Sequence, residues 1–266
     1  MDISIIIVNW NGMPVLPLCL DSLFRCTHDL EYEVVVVDNG STDGSFEWIE
    51  KHHPQVQLLK NKTNVGFSVA NNQGIRASTG RNVLLLNPDT ELRDNAVKTL
   101  SDFLDSNEKA GACGGLLLYT NGAPQWSYGY YPSLSRMIWI TLAGLMRVEW
   151  GRKPMAVIPQ EGEGSRRVEY ICGADLMVKR SVLDQVGLLD EDLFAYSEET
   201  DLCQRIVCAG YEIWYKPDVK IIHKIGDTFT PWKARLYYTS LFRYCNKHYG
   251  YWRPVKYYLL IKRRAQ

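Results

Sequence analysis

Apolar residues in the N-terminal part of the chain fall into short continuous runs that alternate with stretches of helical spacing. The short runs are rich in valine, isoleucine and leucine, which is typical of strands buried on both faces of a parallel sheet. They predict strands at residues 3–8, 34–37, 56–60 and 82–86. The intervening periodicity predicts helices at residues 15–26, 46–53, 68–79 and 95–104. This alternation predicts a doubly wound α/β fold with a mostly parallel, Rossmann-like sheet.

Polar residues and glycines follow three of these predicted strands directly. The segments are NWNG from Asn9, DNGSTDGS from Asp38 and NPDT from Asn87. In doubly wound sheets, ligands bind beyond the carboxyl ends of the strands, where these segments are expected to lie. Asn-Gly and Asp-Gly pairs are also common turn sequences, so each segment alone has a purely structural explanation. Three such segments on one sheet edge favour a ligand site.

Composition and charge narrow the function classes. The chain has 266 residues, of which 46% are apolar, enough for one main core with a small appendage. Lysine plus arginine and aspartate plus glutamate number 30 each, so the overall charge favours neither a nucleic-acid binder nor an acidic, solvating chain. The charges are unevenly distributed, because nine lysines and arginines but no acidic residue follow Asp227. The sequence therefore predicts an acidic body with a basic tail.

Cysteine usage and the N-terminus bear on the cellular compartment. The seven cysteines are scattered and include no Cys-x-x-Cys pair, so we predict reduced core residues rather than a zinc or redox site. The chain enters its first predicted strand without the basic segment and cleavage site of an export signal, so we expect a cytoplasmic protein. The longest apolar run, residues 137–146, has about half of the ~20 residues that a membrane-spanning helix needs.

Four motifs stand out along the chain, namely VVVVDNGSTDGS, NVGFSVANNQGI, LLLNPDTEL and SEETDLCQRI. In this order they resemble the motifs of family 2 glycosyltransferases with the GT-A fold, in the rhamnosyltransferase-like branch. The resemblance covers about residues 3–225. It implies inverting transfer of a sugar from a nucleoside-diphosphate sugar to a hydroxyl of a glycan or lipid-linked saccharide in cell-surface polysaccharide synthesis. The donor favoured by resemblance is dTDP-rhamnose, with a UDP-sugar as the other option.

The resemblance implies a set of donor-site residues, with Asp38 near the base and ribose and the Gly66 loop closing over the base. The residues expected to contact the nucleotide sugar are Asn9, Asp38, Gly66, Phe67, Asn72, Asn87 and His223. Asparagines on a helix are as often solvent-facing, which is the alternative for Asn72. A histidine at a strand end is often structural, which is the alternative for His223.

A divalent metal, Mg²⁺ or Mn²⁺, is implied by the NPDT motif. Asp89 matches the acid that binds this metal, which acts as a Lewis acid on the departing diphosphate, and His223 is the second expected ligand. Asn87 stands where related enzymes have a second acid, and an amide carbonyl is a weaker ligand than a carboxylate, so much of the metal binding is expected from the diphosphate itself. In the structural alternative, Asp89 forms a Pro-Asp turn and caps the following segment.

The second half of the chain resembles the acceptor side of the family. Cys172, Gly173, Ala174 and Glu198 are expected to contact the acceptor. Inverting transfer needs a carboxylate that takes the proton from the acceptor hydroxyl. The family places this carboxylate in an acidic triplet, here Glu198, Glu199 and Asp201, which leaves Glu199 and Asp201 as candidates. Acids in the first turn of a helix also favour the helix dipole, which is the structural alternative.

The resemblance and the charge pattern together predict a domain organisation. We expect a GT-A catalytic domain over residues 1–232, with a donor half to about residue 115 and an acceptor half after it, and a helical tail over residues 233–266. From position 228 onward, eleven aromatic residues accompany the nine cations, a composition that suits an anionic membrane surface. A helix packed on the body, with its cations paired to acids there, explains the composition equally well. We expect no nucleic acid partner, because no recognisable single-strand module accompanies the tail.

Two other functions fit part of the pattern. A non-catalytic nucleotide-sugar-binding protein would keep Asp38 and Asp89 but needs no base, so the acidic triplet argues against it. A sugar nucleotidyltransferase shares the Rossmann-like sheet but opens with a glycine-rich loop containing arginine or lysine, which residues 7–12 lack.

Overall fold

The computed structural model describes residues 1–133, 136, 156–160, 162–224 and 230–250. Its strands, in chain order, are β1 Ile3–Asn9, β2 Tyr32–Asp38, β3 Gln57–Lys60, β4 Asn82–Leu86, β5 Thr90–Leu92, β6 Ala110–Leu118, β7 Tyr128–Gly129, β8 Ala156–Val157, β9 Arg166–Val168, β10 Tyr170–Ile171, β11 Asp175–Lys179 and β12 Glu212–His223. Its helices are α1 Leu16–Cys26, α2 Ser45–His52, α3 Phe67–Arg76, α4 Ala96–Ser106, α5 Arg180–Val186, α6 Glu198–Cys208 and α7 Pro231–Tyr249.

The main sheet has the order β3-β2-β1-β4-β11-β6-β12-β5, with β9 also paired to β12. The strands β3, β2, β1 and β4 are parallel, whereas β11 runs antiparallel to β4. The chain leaves β1 toward β2 on one side and returns to β4 on the other, which is the reversal that creates a ligand crevice in doubly wound sheets. The predicted α/β fold with a mostly parallel sheet is confirmed.

Strand β1 shows why the sheet is buried on both faces. All of its residues are buried, and alternate side chains enter two separate hydrophobic clusters. Ile5 and Ile7 pack with α1 on one face, and Ile6 and Val8 pack with α3 on the other. This explains why the strand is a continuous apolar run instead of an alternating one.

Strand β6 is an element that the apolar pattern did not predict. Its sequence AGACGGLLL is rich in glycine, which weakens the strand signal although most of the strand is buried. A Cβ at Gly114 would lie 2.3 Å from Ile171, and one at Gly115 would lie 2.6 Å from the Val219 carbonyl oxygen. The glycines are therefore required because neighbouring strands approach closely at these positions.

The described part of the predicted tail is the helix α7, which packs on the body through Leu241, Tyr244 and Cys245. Residues 251–266 of the predicted tail and the apolar run at 137–146 lie outside the described residues. Within the described part of the chain, no helix has the length and hydropathy needed to cross a membrane. The division into a donor half, an acceptor half and a tail stays a prediction.

Candidate active site

The predicted nucleoside residues Asn9 and Asp38 lie side by side, because parallel pairing of β1 with β2 places their last residues opposite each other. The Asn9 side-chain amide donates to Asp38 Oδ2 at 2.9 Å and to Ser45 Oγ at 2.8 Å. The backbone N–H of Ser41 donates to Asp38 Oδ1 at 3.0 Å. Both side chains are fully buried. In this conformation the hydrogen bonds of Asp38 join the end of β1 to the loop that follows β2.

The predicted loop at Gly66 and Phe67 contacts the segment that precedes α6. Gly66 has φ of 96°, and a Cβ there would lie 2.8 Å from the Phe194 ring. The backbone N–H of Phe67 donates to the Phe194 carbonyl oxygen at 2.6 Å. Asn39, which motif reading did not single out, donates to the Gly66 carbonyl oxygen at 3.2 Å and accepts from the Val65 N–H at 3.0 Å. These bonds hold the loop between the end of β2 and the segment that precedes α6.

Asn72 has a structural position that does not fit the predicted contact with the nucleotide sugar. Its side-chain amide donates to the Leu189 carbonyl oxygen at 2.8 Å and to Glu191 Oε1 at 3.0 Å, and its oxygen accepts from the Leu189 N–H at 3.0 Å. The side chain is buried, and both of its polar ends are used by the 189–191 segment. Asn72 therefore joins α3 to the acceptor half of the chain.

Asn87, Asp89 and His223 are brought together by the antiparallel pairing of β12 with β5, which sets His223 opposite Thr90. His223 Nε2 lies 3.3 Å from Asp89 Oδ1 and 3.5 Å from Asn87 Nδ2. Asn87 Oδ1 is buried and has no hydrogen-bond partner. An imidazole nitrogen, a carboxylate and an unpartnered amide oxygen thus share one small site.

A divalent cation fits this site by its chemistry. Within the described residues, no group of three or more His, Cys, Asp or Glu side chains is placed to hold a metal ion. The protein would therefore supply Asp89, His223 and the amide oxygen of Asn87. The buried Asn87 Oδ1 is the kind of atom that a cation or a water satisfies. So few protein ligands leave positions for a diphosphate, which is how Mg²⁺ is usually held.

Gln125 is a residue of this site that motif reading missed. It is buried, its Nε2 donates to the His223 carbonyl oxygen at 2.6 Å, and its Oε1 lies 3.2 Å from His223 Nδ1. Gln125 lies between β6 and β7, outside every motif, so local sequence carried no signal for it.

The acidic triplet begins α6 directly after two residues in the left-handed region, Tyr196 with φ of 71° and Ser197 with φ of 67°. Glu198 and Glu199 are both buried. Burial raises the pKa of Glu199, and burial together with the charge of Glu199 raises the pKa of Glu198. A raised pKa brings a carboxylate nearer to the range of a useful general base.

Glu199 faces the predicted acceptor loop. A Cβ built at Gly173 would lie 3.6 Å from Glu199 Cβ, so the loop passes directly over this side chain. Burial, followed by the charges of Glu199, Asp175 and Asp89, raises the pKa of the Cys172 thiol. Cys172 therefore lies within the electrostatic reach of both Glu199 and Asp89. Ala174 is buried in the core, and its carbonyl oxygen accepts from the Asn87 N–H at 3.0 Å.

Asp201, the other candidate base, is committed to ion pairs. Its carboxylate contacts Arg205 Nε at 2.9 Å, Lys247 Nζ at 2.9 Å and His248 Nε2 at 2.6 Å. Although burial raises it, the hydrogen bond from His248 and the charges of Arg205 and Lys247 lower the pKa of Asp201 to about 2. A carboxylate this acidic and fully paired is a poor proton acceptor, so the structure does not fit a catalytic role for Asp201.

The family model of glycosyl transferase family 2 matches residues 4–160, which is more than half of the chain. The chain belongs to glycosyl transferase family 2. The sequence-based assignment to a rhamnosyltransferase-like glycosyltransferase is thereby confirmed, and it agrees with the relatives that follow.

This family 2 glycosyltransferase is similar to two relatives of known name and to one solved structure. The N-acetylglucosaminyl-diphospho-decaprenol L-rhamnosyltransferase of Mycobacterium tuberculosis is 28% identical over 97% of this chain and 89% of its own length. The dTDP-rhamnosyl transferase RfbF of Shigella flexneri is 30% identical over 73% of this chain and 60% of its own length. The mannosyltransferase PcManGT of Pyrobaculum calidifontis, solved with GDP-Man and Mn²⁺, superposes with a TM-score of 0.62 at 18% identity, over 92% of this chain and 63% of its own. The last similarity shows the GT-A fold.

Proposed function

We propose that this family 2 glycosyltransferase transfers a rhamnosyl residue from dTDP-rhamnose to a hydroxyl of a saccharide on a polyprenyl diphosphate carrier, with inversion at the anomeric carbon. The relatives named above act on a lipid-linked N-acetylglucosamine or carry a dTDP-rhamnosyl transferase name, which supports this donor and this class of acceptor. The observation that carries the proposal is the placement of Glu199, buried under the Gly173 loop with a raised pKa, where its charge and that of Asp89 both act on Cys172.

Glu199 is the proposed general base. As the acceptor oxygen attacks, its bond to the anomeric carbon forms while the bond from that carbon to the diphosphate oxygen breaks. The hydroxyl proton passes to a Glu199 carboxylate oxygen, and dTDP leaves with the bonding electron pair. The attack comes from the side opposite the leaving group, which inverts the anomeric configuration. Glu198, whose pKa is raised by burial and by the charge of Glu199, is the proposed acceptor-binding residue next to the base.

A divalent cation, Mg²⁺ or Mn²⁺, is proposed at Asp89, His223 and Asn87. When bound, it would neutralise charge on the departing diphosphate as a Lewis acid. The neighbour solved with GDP-Man and Mn²⁺ has the same fold. The contact of His223 with Asp89, and the unpartnered oxygen of the Asn87 amide whose nitrogen lies 3.5 Å from His223, support this location.

Substitution of Glu199 by glutamine tests the proposal. Glutamine keeps the size of the side chain but cannot accept the proton, so the turnover number for rhamnosyl transfer should fall by about 10²-fold or more. The affinity for dTDP should not change. The matched control is Glu50→Gln on the exposed side of α2, which should keep full turnover.

Full transfer activity of Glu199→Gln would exclude Glu199 as the base. Loss of dTDP binding together with turnover would instead mean that the substitution damages the donor site. A wild-type protein that binds dTDP-rhamnose but transfers to no saccharide would favour the non-catalytic binding protein.

A further inference from the structure

We propose that Gln125 is a positioning residue that fixes the ring orientation and tautomer of His223, so that Nε2 presents its lone pair beside Asp89. This inference rests on the proposed metal-assisted transfer, because it concerns how the chain prepares one ligand of the cation. Gln125 itself lies behind the imidazole ring, on the Nδ1 side, and is not a proposed ligand.

The two ends of the Gln125 amide are distinguished by what they contact. A backbone carbonyl oxygen can only accept, so the atom 2.6 Å from the His223 oxygen must be the donating Nε2. The atom 3.2 Å from His223 Nδ1 is then Oε1, which can only accept. Nδ1 must therefore carry the hydrogen and donate to Gln125. In the neutral ring this leaves Nε2 unprotonated.

The unprotonated Nε2 faces another acceptor. Asp89 Oδ1 lies 3.3 Å away, and neither atom has a hydrogen to share with the other in this tautomer. The Asn87 amide nitrogen can donate to Nε2, but at 3.5 Å this hydrogen bond is long and weak. A cation bound by both atoms would turn this unfavourable approach into a pair of ligands. Ligating histidines generally donate their other ring N–H to a carboxylate, carbonyl or water, which fixes the ring for the metal. Gln125 does this for His223 and also binds its backbone.

Gln125 is itself held rigidly. Its backbone N–H donates to the Leu117 carbonyl oxygen in β6 at 2.7 Å, and its carbonyl oxygen accepts from Ser127 Oγ at 3.1 Å. The Leu117 N–H donates to Ser127 Oγ at 2.9 Å and completes the support. The amide therefore meets His223 from a fixed position on the sheet, which is what a positioning role requires.

The tautomer is tested directly with long-range ¹⁵N–¹H correlation spectra of the imidazole rings in the metal-free protein. The chain has 5 histidines, and His223→Ala assigns the His223 signal. The wild type should show the hydrogen on Nδ1, and Gln125→Met, which keeps the side-chain length, should move the population toward Nε2–H. A wild-type His223 with its hydrogen on Nε2 would overturn the inference, whatever the protein does with metal.

Metal affinity provides the second readout. The apparent dissociation constant of Mn²⁺ should be measured calorimetrically with saturating dTDP, and that of dTDP separately without metal. Gln125→Met should weaken Mn²⁺ binding by about 10–100-fold, with the metal-free dTDP affinity unchanged. Gln125→Glu keeps an oxygen that accepts from Nδ1 but loses the donation to the His223 carbonyl oxygen, so it should bind Mn²⁺ more tightly than Gln125→Met does. Gln55→Leu, at an exposed position before β3, is the neutral control.

The outcomes separate the inference from the proposal on which it rests. Unchanged Mn²⁺ affinity in both Asp89→Ala and His223→Ala would remove the metal site and with it that part of the proposed function. Weaker binding in those two variants with no change in Gln125→Met would overturn the positioning role alone. If Gln125→Met does not fold, Gln125→Glu provides the test. Mn²⁺ binding by Gln125→Glu as weak as that of His223→Ala would overturn the inference.

Discussion

Asp175, at the first position of β11, is a buried carboxyl group that the proposed chemistry does not use. Its Oδ2 accepts from the Gly115 N–H at 2.5 Å, and its Oδ1 is buried without a hydrogen-bond partner. Burial raises the pKa of Asp175 to about 7 from an ordinary value of 3.8. Between these two pH values the folded protein holds a proton that the unfolded chain has lost. The contribution to stability is therefore largest at low pH and declines as the pH rises toward 7.

Asp175→Asn should remove this pH dependence. Asparagine is neutral at every pH and can still accept from the Gly115 N–H. Each unit of pKa difference corresponds to about 1.4 kcal/mol, so at pH 8 the variant should exceed the wild type in unfolding free energy by more than about 1 kcal/mol. At pH 5 the excess should be smaller, and the two should become equal only as the pH falls to about 4, near the ordinary pKa of the carboxyl group. Urea unfolding at pH 5, 6, 7 and 8 without divalent cations measures this, and a difference that is constant across pH would contradict it.

At the scale of elements, α7 holds the segment that leads into the acidic helix. Ser240 Oγ donates to the Ala195 carbonyl oxygen at 2.7 Å, and Lys247 Nζ lies 2.6 Å from Asp190 Oδ2 and 2.9 Å from Asp201 Oδ1. These contacts bracket Tyr196 and Ser197, whose positive φ angles are unfavourable for residues with a side chain. Such conformations persist where the surroundings determine them. The contacts of α7 therefore support the position of Glu199.

Lys247→Met should weaken that support. Asp201 would lose one of its three side-chain partners, and because Lys247 is partly exposed, the unfolding free energy should fall by about 1 kcal/mol at pH 7. The turnover number should fall while the dTDP affinity stays the same, because Lys247 pairs with Asp190 and Asp201, whereas Asp38 is bonded to Asn9 and Ser41. The depressed pKa of Asp201 gives stability that is present above about pH 4 and lost toward pH 2. Acid unfolding of the variant should therefore shift to higher pH.

Lys233→Met, in the first turn of the same helix, is the control for the loss of a lysine from α7. It should leave turnover, dTDP affinity and acid unfolding unchanged. If Lys247→Met behaves like this control, α7 has no part in positioning the acidic helix.

The sequence predicted the elements with strong apolar patterns and the loops at their ends, but not the contacts that decide between candidates. Strands β1, β2 and β4, and the placement of Asn9 and Asp38 at one edge of the sheet, followed from the parallel-sheet pattern. The choice between Glu199 and Asp201 could not follow, because His248, which binds Asp201, lies 47 positions further along the chain. Gln125 was missed for the same reason, since only the folded sheet brings it to His223.

At the scale of the whole molecule, the excess of cations after Asp227 divides into two parts. In α7, Arg243 donates to the Asp192 carbonyl oxygen and Lys247 pairs with Asp190 and Asp201, so the packed-helix interpretation holds for this part. Five further cations lie outside the described residues, namely Arg253, Lys256, Lys262, Arg263 and Arg264. A membrane-bound acceptor would be reached most directly by an enzyme held at the membrane surface. We therefore propose that residues 251–266 make the contact with anionic lipid that the composition of the tail suggests.

A chain that ends at Gly250 tests this assignment while keeping α7 packed on the body. Each cation near an anionic surface contributes roughly 1 kcal/mol, so loss of five should weaken binding to phosphatidylglycerol vesicles at low salt by at least ~10-fold. Binding of the full chain should decrease with added salt but not vanish, because salt screens charge and not the burial of aromatic rings. The shortened chain should keep its melting temperature and its dTDP affinity, which shows that the body is intact.

Equal sedimentation of both chains with anionic vesicles would move the contact to the body, where the half-exposed rings of Trp10 and Trp232 lie 6.4 Å apart. Trp232→Ala would then be the variant that loses binding, and absence of binding by either chain would exclude the membrane contact.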